Sequence, residues 1–362
     1  MAQTTFYPLT VREVQHETPH CVSILFHIPD ELKTLFQYQA GQYITIKKNV
    51  NTEEVRRSYS LCSSPNEDLF RVAVKQVQDG RFSTFATQQL KAGDVLEVMP
   101  PMGHFTYTKN TTSTNNHYIA LAAGSGITPI LSILKTVLIQ EPHSIFTLVY
   151  GNQNFQSIIF REEIEALKNK YVGRLQVIHI LSRERLESEL NFGRITKDKC
   201  EQLFDSLIKL NAEQQFFLCG PEEMILSVKD LLLEKGIKKE HIKFELFTSD
   251  TAQQAKQAYI EKHQEDIGKT SQITIKVDDR SMDFKLSYTG DTILDAALKQ
   301  GADLPYACKG GVCCTCRAKV VEGSVSMVVN YALEDDEVAN GFVLTCQAHP
   351  SSEKVVIDFD AR

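Results

Sequence analysis

Hydrophobic and polar residues alternate in short segments from Phe6 to about Tyr107, for example across residues 43–47 and 70–75. Glycine and proline residues separate these segments. Alternation with a period of two is typical of strands that bury one face, and regularly spaced short strands are typical of sandwiches and barrels. The pattern predicts an antiparallel β-barrel, to which we assign residues 1–108.

A different rhythm follows the polar run from Lys109 to Asn116: short apolar runs alternate with helix-like segments. Strands of a parallel sheet are buried on both faces, and helices connect them. The rhythm therefore predicts a parallel α/β domain over residues 117–248. Its predicted strands are 118–122, 145–150, 175–180 and 215–219, and its predicted helices are 130–139, 160–169 and 222–234.

Residues 249–271 are rich in Gln, Ala, Lys and Glu, with one glycine and no proline, which predicts a semi-rigid, partly helical connector. Residues 272–362 then form a third predicted domain of mixed α+β type. It contains predicted strands at 272–277 and 282–287 and a helix at 292–300. We predict Asp291 as the N-cap of that helix and Gly301 as its C-cap.

Composition narrows the class of protein. The 362 residues include 39 Lys and Arg against 46 Asp and Glu, a net charge of −7, so we expect neither a nucleic-acid nor a membrane partner. The sequence MAQTTFYPLTVREV at the start is not typical of a secretion signal, and we predict a cytoplasmic protein. The most apolar stretch, 119–139, contains two glycines and a proline near its start, which favours strand, turn and helix over a membrane span.

Four of the nine cysteines lie within residues 308–316. Cys308, Cys313 and Cys316, followed by Cys346 after 29 intervening residues, give the C-x4-C-x2-C…C spacing of a plant-type [2Fe-2S] site. A zinc site or spare buried thiols are the alternatives, but zinc sites favour paired short spacings. We predict these four cysteines as cluster ligands, with Cys314 as a bystander.

Two further motifs resemble segments that bind a flavin and its pyrophosphate in a known reductase superfamily, and their residue types are compatible with that role. In Arg57-Ser58-Tyr59-Ser60, arginine can neutralise phosphate, tyrosine offers a flat face and serine a hydroxyl. Gly80-Arg-Phe-Ser83 would add pyrophosphate contacts. Taken alone, the first motif could equally be a polar strand segment.

A glycine-rich turn, Gly124-Ser125-Gly126-Ile-Thr128, lies between the first predicted strand and helix of the α/β domain. Such a turn lets backbone amides and a helix N-terminus approach a pyrophosphate, although it can also serve packing alone. Cys219-Gly220-Pro221 follows the last predicted strand and is a further candidate site motif. The alternative is a buried core cysteine followed by a proline that starts a helix.

Two short segments complete the candidate sites. Arg183, in Ser182-Arg183, has a forked guanidinium that could pair with a phosphate, and its resemblance to a pair in NADP-binding proteins implies the ribose 2′-phosphate; it could also be a solvated loop charge. Glu245-Leu-Phe247 ends the α/β domain and is a candidate site segment. The alternative is an edge strand that packs one phenylalanine.

Together these motifs resemble the ferredoxin–NADP reductase superfamily, in the form with a C-terminal plant-type ferredoxin domain of β-grasp fold. CKGGVCCTCRAKVVEGSVSM and NYALEDDEVANGFVLTC are most similar to the reductase subunits of multicomponent phenylacetyl-CoA epoxidases. The resemblance implies catalytic roles for Ser60, Cys219 and Glu245. It implies cofactor-binding roles for Arg57, Ser58, Tyr59, Ser60, Lys75, Gly80, Ser83, Gly124, Ser125, Gly126, Thr128, Ser182, Arg183, Cys219, Gly220, Pro221 and Phe247.

The resemblance implies an NADPH-dependent oxidoreductase, with NADH as the less favoured donor, that uses FAD and a [2Fe-2S] cluster. A nicotinamide gives two electrons as hydride and the cluster takes one at a time, so a flavin must stand between them. The implied partner is the di-iron oxygenase subunit of a phenylacetyl-CoA 1,2-epoxidase, docked transiently. The alternatives are a reductase for another oxygenase, hydroxylase or demethylase, and a non-enzymatic iron–sulfur carrier or redox sensor.

Overall fold

The computed structural model describes residues 5–109, 115–247 and 251–361. The chain divides into two compact units, residues 6–246 and residues from 247 onward, which we describe separately. Most of the predicted polar boundary at 109–116 and the first two residues of the predicted connector lie outside the described residues.

The first unit begins with a six-stranded antiparallel sheet in the order β4-β3-β6-β1-β2-β5. A bridge between Leu61, just after β4, and Val72 in β5 joins the two ends of that order, which closes the sheet as a barrel. Inward-facing apolar residues of five of the six strands form its core, and the partly buried Tyr59 of β4 packs against it. The elements are β1 (Tyr7–Thr18), β2 (Cys21–His27), β3 (Tyr43–Val50), β4 (Glu53–Ser60), β5 (Phe70–Lys75), α1 (Arg81–Gln88) and β6 (Val95–Val98).

The same unit continues into a five-stranded parallel sheet in the order β11-β10-β7-β8-β9. The predicted parallel α/β fold is confirmed, and all four predicted strands and three predicted helices are present. Helix α4 was missed, because its ten residues bury only three apolar side chains. The elements are β7 (His117–Ala123), α2 (Ile127–Gln140), β8 (Ile145–Asn152), α3 (Arg161–Lys170), β9 (Leu175–Leu181), α4 (Lys197–Ser206), β10 (Gln215–Cys219), α5 (Glu222–Glu234) and β11 (Ile242–Glu245).

The second unit contains a mixed five-stranded sheet in the order β13-β12-β18-β14-β16, in which only β12 and β18 pair in parallel, and a small β15–β17 sheet. Apolar residues of α7 and the large sheet form one core, so the predicted α+β class is confirmed. The elements are α6 (Thr251–Lys262), β12 (Thr270–Val277), β13 (Arg280–Ser287), α7 (Ile293–Lys299), β14 (Arg317–Glu322), β15 (Val325–Met327), α8 (Asp335–Ala339), β16 (Phe342–Leu344), β17 (Ala348–Pro350) and β18 (Lys354–Asp358).

No helix within the described residues is long and apolar enough to cross a bilayer. The apolar stretch that begins near Ile119 is instead split between β7 and α2, which flank the glycine-rich turn.

The N-cap prediction for α7 was wrong by one residue. Thr292 has extended backbone angles, and its hydroxyl accepts the backbone N–H of Asp295 at 3.2 Å, which satisfies an otherwise unpaired donor of the first turn. Asp291 instead pairs with Lys299 on the surface at 2.6 Å. The C-cap prediction is also wrong by one residue: Gln300 is the C-cap of α7, and Gly301, at φ +87°, is the next residue, in the left-handed conformation that commonly ends helices.

We expect Thr292→Ala to lower the free energy of unfolding of the second unit by about 1 kcal/mol, because the substitution removes the helix cap. Asp291→Ala is the matched control and should cost less than half of this, since its ion pair with Lys299 is exposed. Urea unfolding of both variants, followed by visible absorbance of the reconstituted chain, measures the difference. Equal costs would contradict the assignment of the cap.

Candidate functional site

The centre of the first unit's site is the switch point of the parallel sheet, between β7 and β10, where neighbouring connections leave in opposite directions. Gly126 packs so tightly here that a Cβ would clash with the carbonyl oxygen of Cys219. Gly124 has φ +54°, and its carbonyl accepts the hydroxyl of Tyr150 at 3.0 Å. Both glycines are therefore required by the backbone path.

The turn leads directly into α2, whose N-cap, Gly126, makes no side-chain capping bond. Thr128 donates its hydroxyl to the carbonyl of Ser125 at 3.0 Å, which holds the turn in place. The ammonium of Lys75, at the end of β5, lies beside Gly124. Backbone N–H groups at a helix start, with a lysine next to them, fit the pyrophosphate of a dinucleotide.

The three predicted catalytic residues lie together at this point. The hydroxyl of Ser60 donates to Oε2 of Glu245 at 3.1 Å, although 184 residues separate them in the chain. Glu245 ends β11 and stands in register with Cys219 at the end of β10. The structure thus joins the last residue of the barrel strand β4 to the carboxyl edge of the parallel sheet.

Burial sets the protonation of this group. Desolvation raises the pKa of Glu245 to about 8, although the hydrogen bond from Ser60 acts in the opposite direction. Burial also raises the pKa of the Cys219 thiol well above its ordinary value, and the neighbouring Glu245 adds to the shift. Both side chains are therefore predominantly neutral at pH 7.

Strand β4 carries the rest of the predicted flavin motif. The hydroxyl oxygens of Ser58 and Thr45 lie 3.3 Å apart on neighbouring strands. The ring centroids of Tyr59 and Phe82 are 5.5 Å apart. Arg57 is exposed and donates to the carbonyl of Arg56 at 2.8 Å. The guanidinium therefore keeps most of its donors for solvent or a ligand.

The Gly80–Ser83 turn opens α1, and the Ser83 hydroxyl holds it. That hydroxyl accepts the N–H of Val77 and donates to the carbonyl of Gly80, both at 3.2 Å. A cleft of about 230 Å³ lies against the start of α1. Its lining residues are Val50, Asn51, Asp79, Gly80, Arg81, Thr84, Phe85 and Gln89.

The start of α1 is the part of this cleft that fits an anionic group such as the FAD pyrophosphate, since Arg81 is paired with Glu53 and Asp79 adds a carboxylate to the lining. The sequence reasoning missed the wall of this cleft, since α1 was not predicted. The helical spacing of the apolar residues Phe82, Phe85 and Ala86 could have predicted α1. Phe82 and Ala86 are indeed buried.

Other predicted nucleotide residues lie farther along the carboxyl edge. Ser182 and Arg183 follow β9, and their N–H groups donate to the carbonyls of Asn152 and Gln153 at 2.9 and 2.7 Å. The Arg183 side chain is exposed. Since β9 is the sheet edge opposite β11, the structure does not bring Arg183 to the Ser60–Glu245 pair.

The remaining predictions for this site have different outcomes. Gly220 is packed against Met224 and Ala123, where a Cβ would crowd the Met224 methyl group, and Pro221 is the N-cap residue of α5. Phe247 is partly buried and belongs to the second unit, so its place at the flavin stays a prediction.

In the second unit, the loop after α7 gathers the four predicted ligand cysteines. Sγ of Cys313 donates to Sγ of Cys308 at 3.1 Å, and the Cys346 thiol interacts with those of Cys308 and Cys316. Within the described ranges, no three His, Cys, Asp or Glu side chains have the arrangement needed to bind one metal ion together.

Backbone geometry of this loop also suits a bulky thiolate-bound group. The N–H of Gly310 points to Sγ of Cys308 at 3.3 Å. Gly311 has φ +74°, and a Cβ there would crowd the side chain of Val329. Four clustered thiol donors, an amide directed at sulfur and a glycine-lined loop fit an iron–sulfur cluster.

Comparisons with known proteins agree with these three sites. Residues 8–107 match the oxidoreductase FAD-binding domain, 120–230 the oxidoreductase NAD-binding domain, and 275–351 the 2Fe-2S iron-sulfur cluster binding domain. In fold, the chain is similar to phthalate dioxygenase reductase, with a TM-score of 0.60, 20% identity and 98% coverage of both chains. It also matches an intact type IV self-sufficient cytochrome P450 monooxygenase, with a TM-score of 0.71, 18% identity and coverage of 97% of this chain and 41% of that one.

Two curated relatives extend over nearly the whole chain. A subunit of the 1,2-phenylacetyl-CoA epoxidase from Escherichia coli (strain K12) is 43% identical over 99% of both chains. The ferredoxin reductase component of a 3-ketosteroid-9-alpha-monooxygenase from Rhodococcus rhodochrous is 35% identical over 97% of this chain and 96% of that relative.

Fold and sites define an oxidoreductase with FAD-binding, NAD-binding and 2Fe-2S domains, which sets aside the non-enzymatic carrier or sensor. The chain belongs to the family of oxygenase reductase components that includes the reductase of phenylacetyl-CoA epoxidase.

The raised pKa of Glu245 predicts a pH-dependent stability. Between its ordinary value of 4.5 and about 8, the folded chain keeps a proton that the unfolded chain releases, so rising pH lowers the free energy of unfolding. Glu245→Gln removes this dependence. We therefore expect the stability of the variant relative to the parent to increase with pH by at most about 1.4 kcal/mol per unit, and to level off above pH 8.

Urea unfolding from pH 5 to 9 tests this expectation. Glu240→Gln, at an exposed acid just before β11, is the control and should follow the parent. Parallel curves for Glu245→Gln and the parent would show that the folded carboxyl titrates as it does in the unfolded chain.

The cysteine arrangement predicts two irons and two acid-labile sulfides per chain. Cys313→Ser should lose most of both, since it removes a thiolate donor, whereas Cys314→Ser should keep them. Cys314 is the matched control because it is the adjacent residue and is half-buried. Iron and sulfide assays with visible spectra measure the outcome, and one zinc per chain without visible absorbance would contradict the site.

Proposed function

We propose that this chain is the reductase that passes electrons from NADPH through FAD and a [2Fe-2S] cluster to the di-iron oxygenase subunit of a phenylacetyl-CoA 1,2-epoxidase. The observation that carries the proposal is 43% identity over 99% of both chains to a subunit of such an epoxidase, combined with three sites of matching chemistry. The oxygenase would bind and oxidise the CoA ester. This chain would supply electrons by transient docking.

Within the first unit, the proposed roles follow from position. Gly124, Gly126 and the start of α2 would hold the dinucleotide pyrophosphate, with Lys75 neutralising charge. Ser60 and Glu245 would orient the reacting rings, and the neutral Cys219 would exclude water beside them. An FAD held by these residues would supply the conversion of a two-electron hydride donor into single electrons for the cluster.

The remaining contacts belong to FAD and the cluster. We assign Arg57, Ser58 and Tyr59 to the flavin, with the Gly80–Ser83 turn at its pyrophosphate. In the second unit, we assign the cluster to Cys308, Cys313, Cys316 and Cys346, which would keep its irons on thiolates.

We further propose the domain boundaries 1–108, 117–248, 249–271 and 272–362, since the three matched domains fall inside them. The cytoplasm is the proposed location. Supporting this, none of the nine cysteines forms a disulfide, as is ordinary in a reducing compartment.

A second candidate is a reductase for another oxygenase, which the 35% identity to a 3-ketosteroid monooxygenase component favours. A reconstituted assay separates the two. The purified chain, NADPH and the epoxidase's oxygenase subunits should consume phenylacetyl-CoA, and a one-electron dye measures the chain's own activity in parallel. Dye reduction without turnover of phenylacetyl-CoA would support the second candidate.

Preference for NADPH over NADH is proposed from Arg183, whose exposed guanidinium stands at the end of β9. We expect Arg183→Ala to lower kcat/KM for NADPH by about fivefold or more and to leave NADH unchanged. A charge-assisted hydrogen bond is worth roughly 1.5–3 kcal/mol before solvent screening.

The control for this prediction is Arg185→Ala, which removes an exposed arginine that is already paired with Glu189 at 2.8 Å. Steady-state dye reduction with each nucleotide measures both variants. An equal loss with NADPH and NADH in Arg183→Ala would mean that the residue does not read the 2′-phosphate.

A further inference from the structure

One face of α2 carries a row of polar side chains, whereas most other residues of this helix are apolar. They follow one another at intervals of three, one and four residues, so they share that face. Opposite them lies the loop 63–67, which follows the barrel strand β4. We call this contact the α2 seam; its members on the helix are Ser132, Lys135, Thr136 and Gln140.

Neutral hydrogen bonds form the middle of the seam. Ser132 donates its hydroxyl to the carbonyl of Ser63 at 2.5 Å, and the hydroxyls of Thr136 and Ser64 lie 2.9 Å apart. All four residues are buried. A shift of the loop along the helix would break both bonds in a buried setting and leave the Ser132 hydroxyl without this acceptor, although Thr136 would keep its bond to the carbonyl of Ser132 at 2.7 Å.

A buried charge network lies beside them. The ammonium of Lys135, only 2% exposed, donates to Glu67 at 2.8 Å and to Glu163 at 2.7 Å. Glu163 also accepts from Arg71 of the barrel at 2.5 Å. Two cations and two carboxylates thus join the barrel loop to α2 and α3, and a buried ammonium that loses its partners is strongly unfavourable.

The seam connects the two halves of the proposed hydride-transfer site. Its barrel side begins three residues after Ser60, and its helix side belongs to α2, which starts at Gly126 against Cys219. How the loop sits on α2 therefore contributes to the spacing between the flavin strand and the dinucleotide turn, together with contacts such as the bond from Lys243 to the carbonyl of Thr106 at 2.7 Å. Reacting atoms must approach to about 3–3.5 Å, and an error of about 1 Å caused by a distant residue can cost roughly a hundredfold in rate.

We propose that Lys135 is a positioning residue for hydride transfer: its bonds to Glu67 and Glu163 hold the barrel and the dinucleotide turn in the register that the reaction needs. The inference rests on the proposed function, since it concerns electron transfer from nucleotide to flavin. Lys135 itself touches neither Ser60 nor the turn, so it acts through the seam.

The test is anaerobic stopped-flow reduction of the flavin by NADPH in the full holoprotein. Lys135→Met keeps an unbranched but slightly shorter side chain and removes the charge. We expect the limiting rate of flavin reduction to fall by roughly tenfold to a hundredfold, with less than about a twofold change in the half-saturating NADPH concentration. The matched control is Lys168→Met, at an exposed lysine of α3 whose carboxylate partner is 3.6 Å away, and it should match the parent.

A charge-balanced variant separates positioning from stability. Lys135→Met with Glu67→Gln leaves one cation, Arg71, beside one carboxylate, Glu163, so it should recover most of the thermal stability lost by the single variant. Positioning predicts that its flavin reduction stays slow, because the tether remains cut. A stable double variant with the parent's rate would overturn the proposal.

If Lys135→Met fails to fold or to retain FAD, Ser132→Ala cuts the same seam without leaving a buried charge. The limiting rate should then still fall by about threefold or more. A Ser132→Ala protein as fast as the parent would overturn the proposal. If the parent flavin is reduced by neither NADPH nor NADH, the proposed function fails instead, before any variant is compared.

Discussion

The contact of Gly126 with the carbonyl of Cys219 is the constraint on which the first unit depends. It is a backbone contact with no room for a side chain, and it fixes the start of α2 to the end of β10. From that fixed point, the helix carries its polar face to the barrel loop two turns away, while β10 sets the register of β11 and hence of Glu245. The positions of both the site and the seam therefore depend on the backbone contact between Gly126 and Cys219.

The first unit buries charge-bearing groups in two different ways. Glu245 has one neutral hydrogen-bond donor, Ser60, and its pKa rises because desolvation outweighs that single bond. Lys135 has two carboxylates within 2.8 Å, so its charge is compensated. The carboxyl of Glu245 stays neutral because it has few polar partners. The ammonium of Lys135 stays charged between the barrel and the parallel sheet because carboxylates surround it.

Local patterns in the sequence predicted much of the fold and the site. Apolar runs gave the parallel strands, and the spacing of Cys308, Cys313 and Cys316 pointed to their grouping, because these signals lie within a few residues of one another. The seam was not predictable, since it joins α2 to a loop that is distant in the sequence: Glu67, the partner of Lys135, is 68 residues away. The cap at Thr292 was missed because Asp291 is an equally good capping residue, and only the backbone path distinguishes them.

Cys346, the fourth cysteine, was predicted from the ligand spacing of plant-type sites although 29 residues separate it from Cys316. Cys346 follows β16, and Thr345 beside it bonds to the carbonyl of Cys316 through both its N–H, at 3.2 Å, and its hydroxyl, at 2.9 Å. Gln347, on the other side, donates to the carbonyl of Lys309 at 3.1 Å. The residues on either side of Cys346 thus form hydrogen bonds to both ends of the cysteine loop. Because these bonds are made by the protein alone, the ligand geometry depends on the strand pairing of the second unit and not only on the metal.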